Sequence, residues 1–196
     1  MKIYGDLKSG NCLKVKWVSD KLALPYTWVD VDIMKGESRT AAFIKLNPWG
    51  QVPTVAFDDG RTLAQSNAII RHLARGSDLI PADAFAAAQM DEWLFWEQYS
   101  HEPYIASCRF QVVYLGKSPS DLDPEKIKRG YAALARMEHH LAATRFLVGD
   151  AVSLADVALL AYTRVAHEGG FHLEGYASLR RWIGEVEQFL GLPSAR

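Results

Sequence analysis

Asn47-Pro48-Trp49-Gly50-Gln51-Val52-Pro53-Thr54 and, one hairpin later, Gln65-Ser66-Asn67-Ala68-Ile69 are the segments around which the rest of the chain can be read. Asn47 to Gly50 is a turn cluster, because Asn, Pro and Gly favour backbone conformations that interrupt helices and strands. Val52-Pro53 then stands before a strand and is a candidate cis peptide, since the cis form costs only about 0.5–1 kcal/mol before proline. It also reads as a plain turn. Thr54 to Phe57 and Arg61 to Leu63 flank Asp58-Asp59-Gly60, which predicts a hairpin with Gly60 available for a positive φ. Ser66 is placed to cap a helix that carries Ile69, Ile70 and Leu73 and stops at Gly76.

Toward the N-terminus, Lys2-Ile3-Tyr4 is a short strand candidate. After Ser9-Gly10-Asn11, the apolar positions Val15, Val18 and Leu22 follow helical spacing until Pro25 ends the stripe. Val29, Val31 and Ile33 alternate with Asp30 and Asp32, which predicts a strand with one buried face, and a short polar helix spans Ser38 to Lys45. The order β-α-β, then α, then β-β-α describes a small α/β domain over residues 1–76, because a β-α-β unit needs a crossover and a terminal hairpin can extend the same sheet. Residues 77–83 read as a linker.

Residues 84–196 carry no strand pattern. Phe85 to Phe110 is a long aromatic-rich helical stretch with Pro103 set to kink or break it. Asp123-Pro124-Glu125 starts a helix that places Ile127, Tyr131, Leu134 and Leu141 on one face. Ser153, with Asp156 three residues on, resembles a capping box, and Leu154, Val157, Ala158, Ala161, Tyr162 and Val165 form a helical core stripe behind it. A last helix runs from about Ser178 to Leu190. The predicted fold is thus an α/β domain followed by an all-helical one.

Composition narrows the function classes. With 22 Lys plus Arg against 23 Asp plus Glu among 196 residues, and no basic run longer than two, nothing is available to neutralise a run of phosphates. Nucleic acid and anionic membranes are therefore not expected partners. The longest apolar run, Val157 to Tyr162, is too short for a bilayer, and Met1-Lys2-Ile3-Tyr4 passes into Gly5-Asp6 without the apolar core of a signal peptide, so a cytoplasmic location is expected. Cys12 and Cys108, far apart in such a chain, do not suggest a disulfide. The histidines, including His139-His140 and His167 with His172, lack metal-ligand spacing, and no metal is expected.

Three polar segments of the first domain lie where strands meet helix starts: Ser9-Gly10-Asn11-Cys12, Gln51-Val52-Pro53 and Gln65-Ser66. Exposed N–H groups and the helix dipole at such starts favour an anion, including a thiolate. Taken singly, Ser9, Asn11 and Ser66 also read as ordinary N-cap residues. A phosphate loop is absent, because Gly10 has no glycine partners at the needed spacing.

In combination, Asn47 to Thr54 followed by Gln65 to Ile69 resembles the glutathione-binding signature of cytosolic glutathione transferases, and Phe146-Leu147-Val148-Gly149-Asp150 running into Ser153-Leu154-Ala155-Asp156 resembles the capping motif of their second domain. The resemblance covers the whole chain. It implies a thioredoxin-like N-terminal domain, a helical C-terminal domain and a homodimer. It further implies that the backbone of Val52, before a cis Pro53, meets the cysteinyl part of glutathione, that Ser66 holds the γ-glutamyl carboxylate with Gln65 near the amino group, and that Arg39 and Trp49 reach the glycyl end. Gln65 matches the mu and pi classes, whereas many bacterial and theta-like members have Glu there. For the activating residue the N-terminal segment is theta-like at Ser9, nu-like at Asn11 and beta-like at Cys12, with Tyr4 the mu and pi rival, and the order of preference is Ser9, Asn11, Cys12, Tyr4.

The implied activity is conjugation of glutathione, as co-substrate, to a hydrophobic electrophile or peroxide lying against the aromatic stretch Trp93, Trp96, Tyr99, Tyr104 and Phe110. A glutathione-dependent disulfide or peroxide reductase is an alternative, although Ser9 replaces the first cysteine of a C-x-x-C and only Cys12 remains. A non-catalytic glutathione-binding protein of the same fold is another.

Overall fold

The computed structural model describes residues 1–195 and divides into two compact units, Met1–Ser77 and Asp78–Arg196. In the first unit β1 (Lys2–Gly5), α1 (Gly10–Lys21) and β2 (Thr27–Asp30) form the crossover. A single 3-10 turn and α2 (Ala41–Leu46) follow, and then β3 (Thr54–Ala56), β4 (Thr62–Ala64) and α3 (Ser66–Leu73). The strands lie in the order β2-β1-β3-β4. β1 and β2 are parallel, pairing Lys2 with Thr27 and Gly5 with Asp30, whereas β3 runs antiparallel to both β1 and β4.

Strand alternation sorts the helices to the two faces. Ile3 and Val55 of the central strands are fully buried, as are Val15 and Val18 of α1 and Ile69 and Ile70 of α3, and these two helices pack together. Tyr4 points the other way and meets Phe43 of α2 edge to face, with ring centroids 6.1 Å apart. Gly5 is required by a close approach: a Cβ there would lie 2.6 Å from the Trp28 ring and 3.2 Å from Cys12 Cβ.

The predicted alternation through Ile33 overruns the strand, because β2 ends at Asp30. Asp32 accounts for the exit. Its carboxylate accepts the N–H groups of Met34 and Lys35 at 3.0 and 3.1 Å, and its own N–H donates to Glu37 at 2.7 Å, so local side-chain bonds replace ladder bonds.

The second unit is helical. α4 (Ala84–Trp96) leads through a π turn at Glu97–His101 into α5 (Glu102–Val113). Pro103 therefore neither ends nor sharply breaks the stretch: the widened turn precedes it, and it sits in the first turn of α5, where its missing N–H is not needed. α6 (Pro124–Ala143) starts under Asp123, whose carboxylate accepts the Glu125 N–H at 2.9 Å. α7 (Leu154–Thr163) is buried at all ten positions, so the core stripe expected on one face extends around the helix and stops two residues short of Val165. Its Asp156, fully buried, accepts from Ser153 N and Oγ, Leu147 N and the Trp182 indole at 2.8–3.0 Å.

α8 (Ala177–Leu190) buries Leu179, Trp182 and Val186. Glu138 of α6 accepts the Ser178 and Leu179 N–H groups at the start of α8, while Arg181 of α8 donates to the Leu141, Thr144 and Arg145 carbonyls at the end of α6. Each helix thereby supplies the charge that the other's terminus needs. Among the described residues no helix is long and apolar enough to cross a membrane.

Candidate functional site

After β1, Asp6 turns the chain: its carboxylate accepts the Lys8 N–H at 2.8 Å and its carbonyl the Ser9 N–H at 2.9 Å. Ser9 is thereby set at the N-cap of α1, with φ −82° and ψ 120°, and its carbonyl accepts the Leu13 N–H. Its hydroxyl does not cap the helix. The side chain is half-buried and hydrogen-bonds Cys12 instead.

The start of α3 meets the start of α1 through one bond, in which Ser66 Oγ donates to Asn11 Oδ1 at 3.0 Å. Ser66 is nearly buried and is the first residue of α3, not its cap as its sequence position suggests. The N-cap is Gln65, which is exposed and makes no side-chain capping bond. Gln65 has φ 71° and ψ 110°, a conformation that costs a non-glycine residue of order 1–3 kcal/mol.

A third loop completes the rim. Asn47, 1% exposed, donates from Nδ2 to the Gln51 carbonyl at 2.8 Å and to Thr54 Oγ1 at 3.1 Å, and accepts the Trp49 N–H at 3.1 Å. Thr54 Oγ1 in turn donates to the Gln51 carbonyl at 2.9 Å. Gly50 has φ 61°, and a Cβ on it would sit 2.8 Å from Arg39 Nη1 and 2.9 Å from the Ser38 carbonyl. Arg39 can therefore lie across the loop, donating to the Trp49 carbonyl at 3.0 Å, while the Trp49 ring stays 63% exposed. The Val52-Pro53 peptide is cis, with Pro53 buried and Val52 half-buried.

Two sequence candidates fall outside this rim. Cys12 is fully buried against the sheet, and burial pushes its thiol up to about 11, a rise that bonds from the Asp6 backbone and the Ser9 side chain only partly oppose. At Cys12 itself, desolvation outweighs the dipole of the helix start. Tyr4 is held against Phe43 on the sheet face opposite α1. Asn47 and Thr54 were legible only as turn and strand residues, yet they hold the loop before Pro53; the buried Asn in a Pro-Gly turn was their available signal.

In the second unit the aromatic stretch separates into roles. Trp93 is core, edge to face with Trp96 and His140. Tyr99 is 83% exposed, Tyr104 accepts from Arg129 at 3.1 Å, and Phe110 stacks on Tyr114. No group of three or more His, Cys, Asp or Glu side chains able to hold a metal occurs among the described residues.

Two helix starts joined by a hydrogen bond, beside a loop with its backbone fixed, form a surface suited to a small peptide-like anion, because unsatisfied N–H groups there attract carboxylate or thiolate charge. The chain's relatives agree with that chemistry. Residues 9–75 match the family described as Glutathione S-transferase, N-terminal domain, and residues 124–185 match Glutathione S-transferase, C-terminal domain. The chain is 34% identical to Glutathione S-transferase 3 of Zea mays over 80% of this chain and 73% of that protein. It is 32% identical to Glutathione S-transferase theta-1 of Mus musculus over 97% and 84%. A crystal structure of a glutathione S-transferase from Pseudomonas fluorescens Pf-5 superposes with a TM-score of 0.91 at 46% identity, covering 95% of this chain and 94% of that one. On this agreement of sequence and fold, the chain belongs to the glutathione S-transferase family.

Proposed function

We propose that this protein is a glutathione transferase that binds glutathione on residues 1–76, stabilises its thiolate and conjugates it to a hydrophobic electrophile. The observation that carries the reading is the bond from Ser66 to Asn11, which brings the starts of α3 and α1 together with Ser9 at the second of them. Ser66 and the α3 start then take the γ-glutamyl carboxylate, Gln65 the ammonium, the Val52 backbone the cysteinyl unit, and Arg39 with Trp49 the glycyl end. A neutral Gln65 gives up the charge-assisted contact that a carboxylate would make.

Thiol activation is the chemical task. A thiol of pKa about 8.5 is only ~3% ionised at pH 7, and a fall of ~2 units, worth ~2.7 kcal/mol, makes it mostly thiolate. Serine supplies this by donating a hydrogen bond to the sulfur anion, with no ionisation of its own. Asn11, tied to Ser66, is the second donor candidate. The buried thiol of Cys12 speaks against the disulfide reductase alternative, because thiol exchange needs an accessible thiolate.

The assembly we infer is a cytoplasmic homodimer, supported by large apolar side chains left on the surface, among them Phe85 and Phe95, each 74% exposed. Calorimetry with glutathione, followed by assays with an aryl halide, a hydroperoxide and a mixed disulfide, tests the whole reading. Binding with conjugation is expected; millimolar glutathione giving neither heat nor a higher melting temperature sinks it. Disulfide reduction abolished by Cys12→Ser with conjugation spared would shift the reading to the reductase. Glutathione binding without turnover in any assay would shift it to a binding protein.

A further inference from the structure

A serine hydroxyl carries a single hydrogen. Ser66 gives its hydrogen to Asn11 Oδ1 at 3.0 Å. The bond lies within the first unit and runs from the first residue of α3 to the second residue of α1. Ser66 is only 5% exposed, so water has little access to its oxygen.

Glutathione, held as proposed above, brings a second acceptor to the same hydrogen. The γ-glutamyl carboxylate is ionised and has no hydrogen of its own, and a bond to a charged acceptor is about twice as strong as one to a neutral amide oxygen. Rotation about the Ser66 Cβ–Oγ bond therefore carries the hydrogen from Asn11 to the ligand. Ser66 Oγ then presents a lone pair to Asn11 Oδ1, and two acceptors in contact repel.

Asn11 has the means to restore the bond. Its terminal torsion is broad and roughly twofold, so turning the carboxamide through about 180° costs little beyond the contacts it changes. The side chain that accepted through Oδ1 now donates through Nδ2 to Ser66 Oγ. No bond between the two residues is lost, and the hydrogens run in one direction, from Asn11 to Ser66 and from Ser66 to the carboxylate. A hydroxyl that receives a hydrogen bond is itself a stronger donor. Aspartate has the same shape but as an anion can only accept, and alanine can do neither.

We propose that Asn11 is a positioning residue for the γ-glutamyl carboxylate, acting through Ser66: its carboxamide accepts from Ser66 in the arrangement seen here and donates to it when the carboxylate is bound. This rests on the glutathione-binding reading and adds to it a reversal of polarity two residues after Ser9. Only one Nδ2 hydrogen is used, so the reversal does not depend on whether Asn11 also meets the sulfur.

Calorimetry on the full-length protein tests it with two ligands, S-methylglutathione and the same molecule with a 4-aminobutyryl group in place of γ-glutamyl, which differ only by the carboxylate. The S-methyl group takes the thiolate out of the comparison. The wild type is expected to prefer the carboxylate ligand by about tenfold or more, the value of a charge-assisted bond. Asn11→Ala should cut that preference about threefold, the low end for one neutral hydrogen bond. In a Ser66→Ala background, where the preference is already reduced, the same change should leave it as it stands. Asn11→Asp should abolish the wild-type preference.

A merely structural role for Asn11 would weaken both ligands alike. An unchanged or larger preference in Asn11→Ala, or an equal cut with Ser66 removed, would overturn the inference while leaving glutathione binding intact. Failure of the wild type to bind either ligand would overturn the glutathione reading and this inference together. Should Asn11→Ala not fold, Asn11→Asp decides by the same ratio, and a preference retained there overturns the proposal.

Discussion

Ser9 and Ser153 occupy the same position in two helices, the N-cap, and are used in opposite ways. In the helical unit Ser153 forms a capping box with a fully buried Asp156, which gathers four donors. In the α/β unit Ser9 leaves its helix uncapped, and the neighbouring helix starts at an exposed Gln65 with a positive φ. Capping is worth about 1 kcal/mol, so stability is forgone at the α1 and α3 starts of the first unit and secured at the α7 start of the second. The difference separates a start used for the fold from one kept for a ligand, since stability is commonly given up where a ligand must be met.

Removing the Asp156 carboxylate should show the largest effect. Asp156→Ala leaves two backbone N–H groups, a hydroxyl and an indole N–H without their acceptor in a dry site, and the expected loss is about 3–5 kcal/mol in urea unfolding. Asp156→Asn, which retains one acceptor oxygen, should lose less. A loss below about 1 kcal/mol in the alanine variant would mean that the box contributes no more than an ordinary surface cap, and the contrast with Ser9 would collapse.

Ser9→Ala should invert the pattern. With no capping bond to lose, its stability should stay within about 0.5 kcal/mol of the wild type, while conjugation at pH 7 falls roughly ten- to a hundredfold, the value of one charge-assisted hydrogen bond of about 1.5–3 kcal/mol. Glutathione binding should weaken far less. The rate deficit should shrink at high pH, where the thiol ionises unaided, and thiolate absorbance of bound glutathione should report a raised pKa in the variant. An unchanged pKa would transfer the role to Asn11 or Tyr4. Full activity would remove Ser9 from the site.

These serines also mark what could be read without coordinates. The β-α-β, α, β-β-α order and the helical second half were legible because periodicity and turn residues are local properties. With Asp32 bonding the backbone, β2 ends three residues before the apolar alternation does, because such a side chain competes with the ladder. For the site, the residue types pointed to Ser9, Asn11 and Ser66 together, but each matched an N-cap equally well. Only the bond between Asn11 and Ser66, across 55 positions of sequence, distinguishes them. The state of Cys12 could not be read in advance, because a helix dipole can be placed from sequence, whereas the burial that outweighs it depends on Gly5 and Trp28 closing over the same spot.

A charged cap at the α8 start sharpens the comparison by pH. Burial alone raises the Glu138 carboxyl, but the Leu179 and Ser178 N–H groups outweigh it and hold the group below the usual carboxylate range. A depressed carboxyl contributes its full stabilisation above the unfolded value of about 4.3 and loses it as pH falls through the lower folded value. Wild-type stability should therefore decline across that acid window more steeply than that of Glu138→Gln. At neutral pH the variant should be less stable by about 1 kcal/mol, a capping-sized difference already discounted for solvent screening, and the two should converge in acid. Parallel pH profiles would show that the two backbone bonds do not depend on the charge.

The smallest effect belongs to Gln65, where backbone and side chain pull in different directions. Glycine adopts φ 71° without a Cβ penalty, so Gln65→Gly should relieve strain, but the unfolded chain gains freedom, and the net stabilisation should be no more than about 0.5 kcal/mol. The same change removes the amide proposed to meet the glutathione ammonium, a neutral donor and acceptor group, and should weaken binding about threefold, toward the low end of hydrogen-bond values. Gln65→Ala separates the two contributions, since it loses the amide while keeping a Cβ at the positive φ. It should bind as weakly as the glycine variant without its gain in stability. If the alanine variant bound glutathione like the wild type, the amide would have no part in recognition. The positive φ would then serve only to aim the α3 start, and the first unit's concession of stability would lie in its backbone alone.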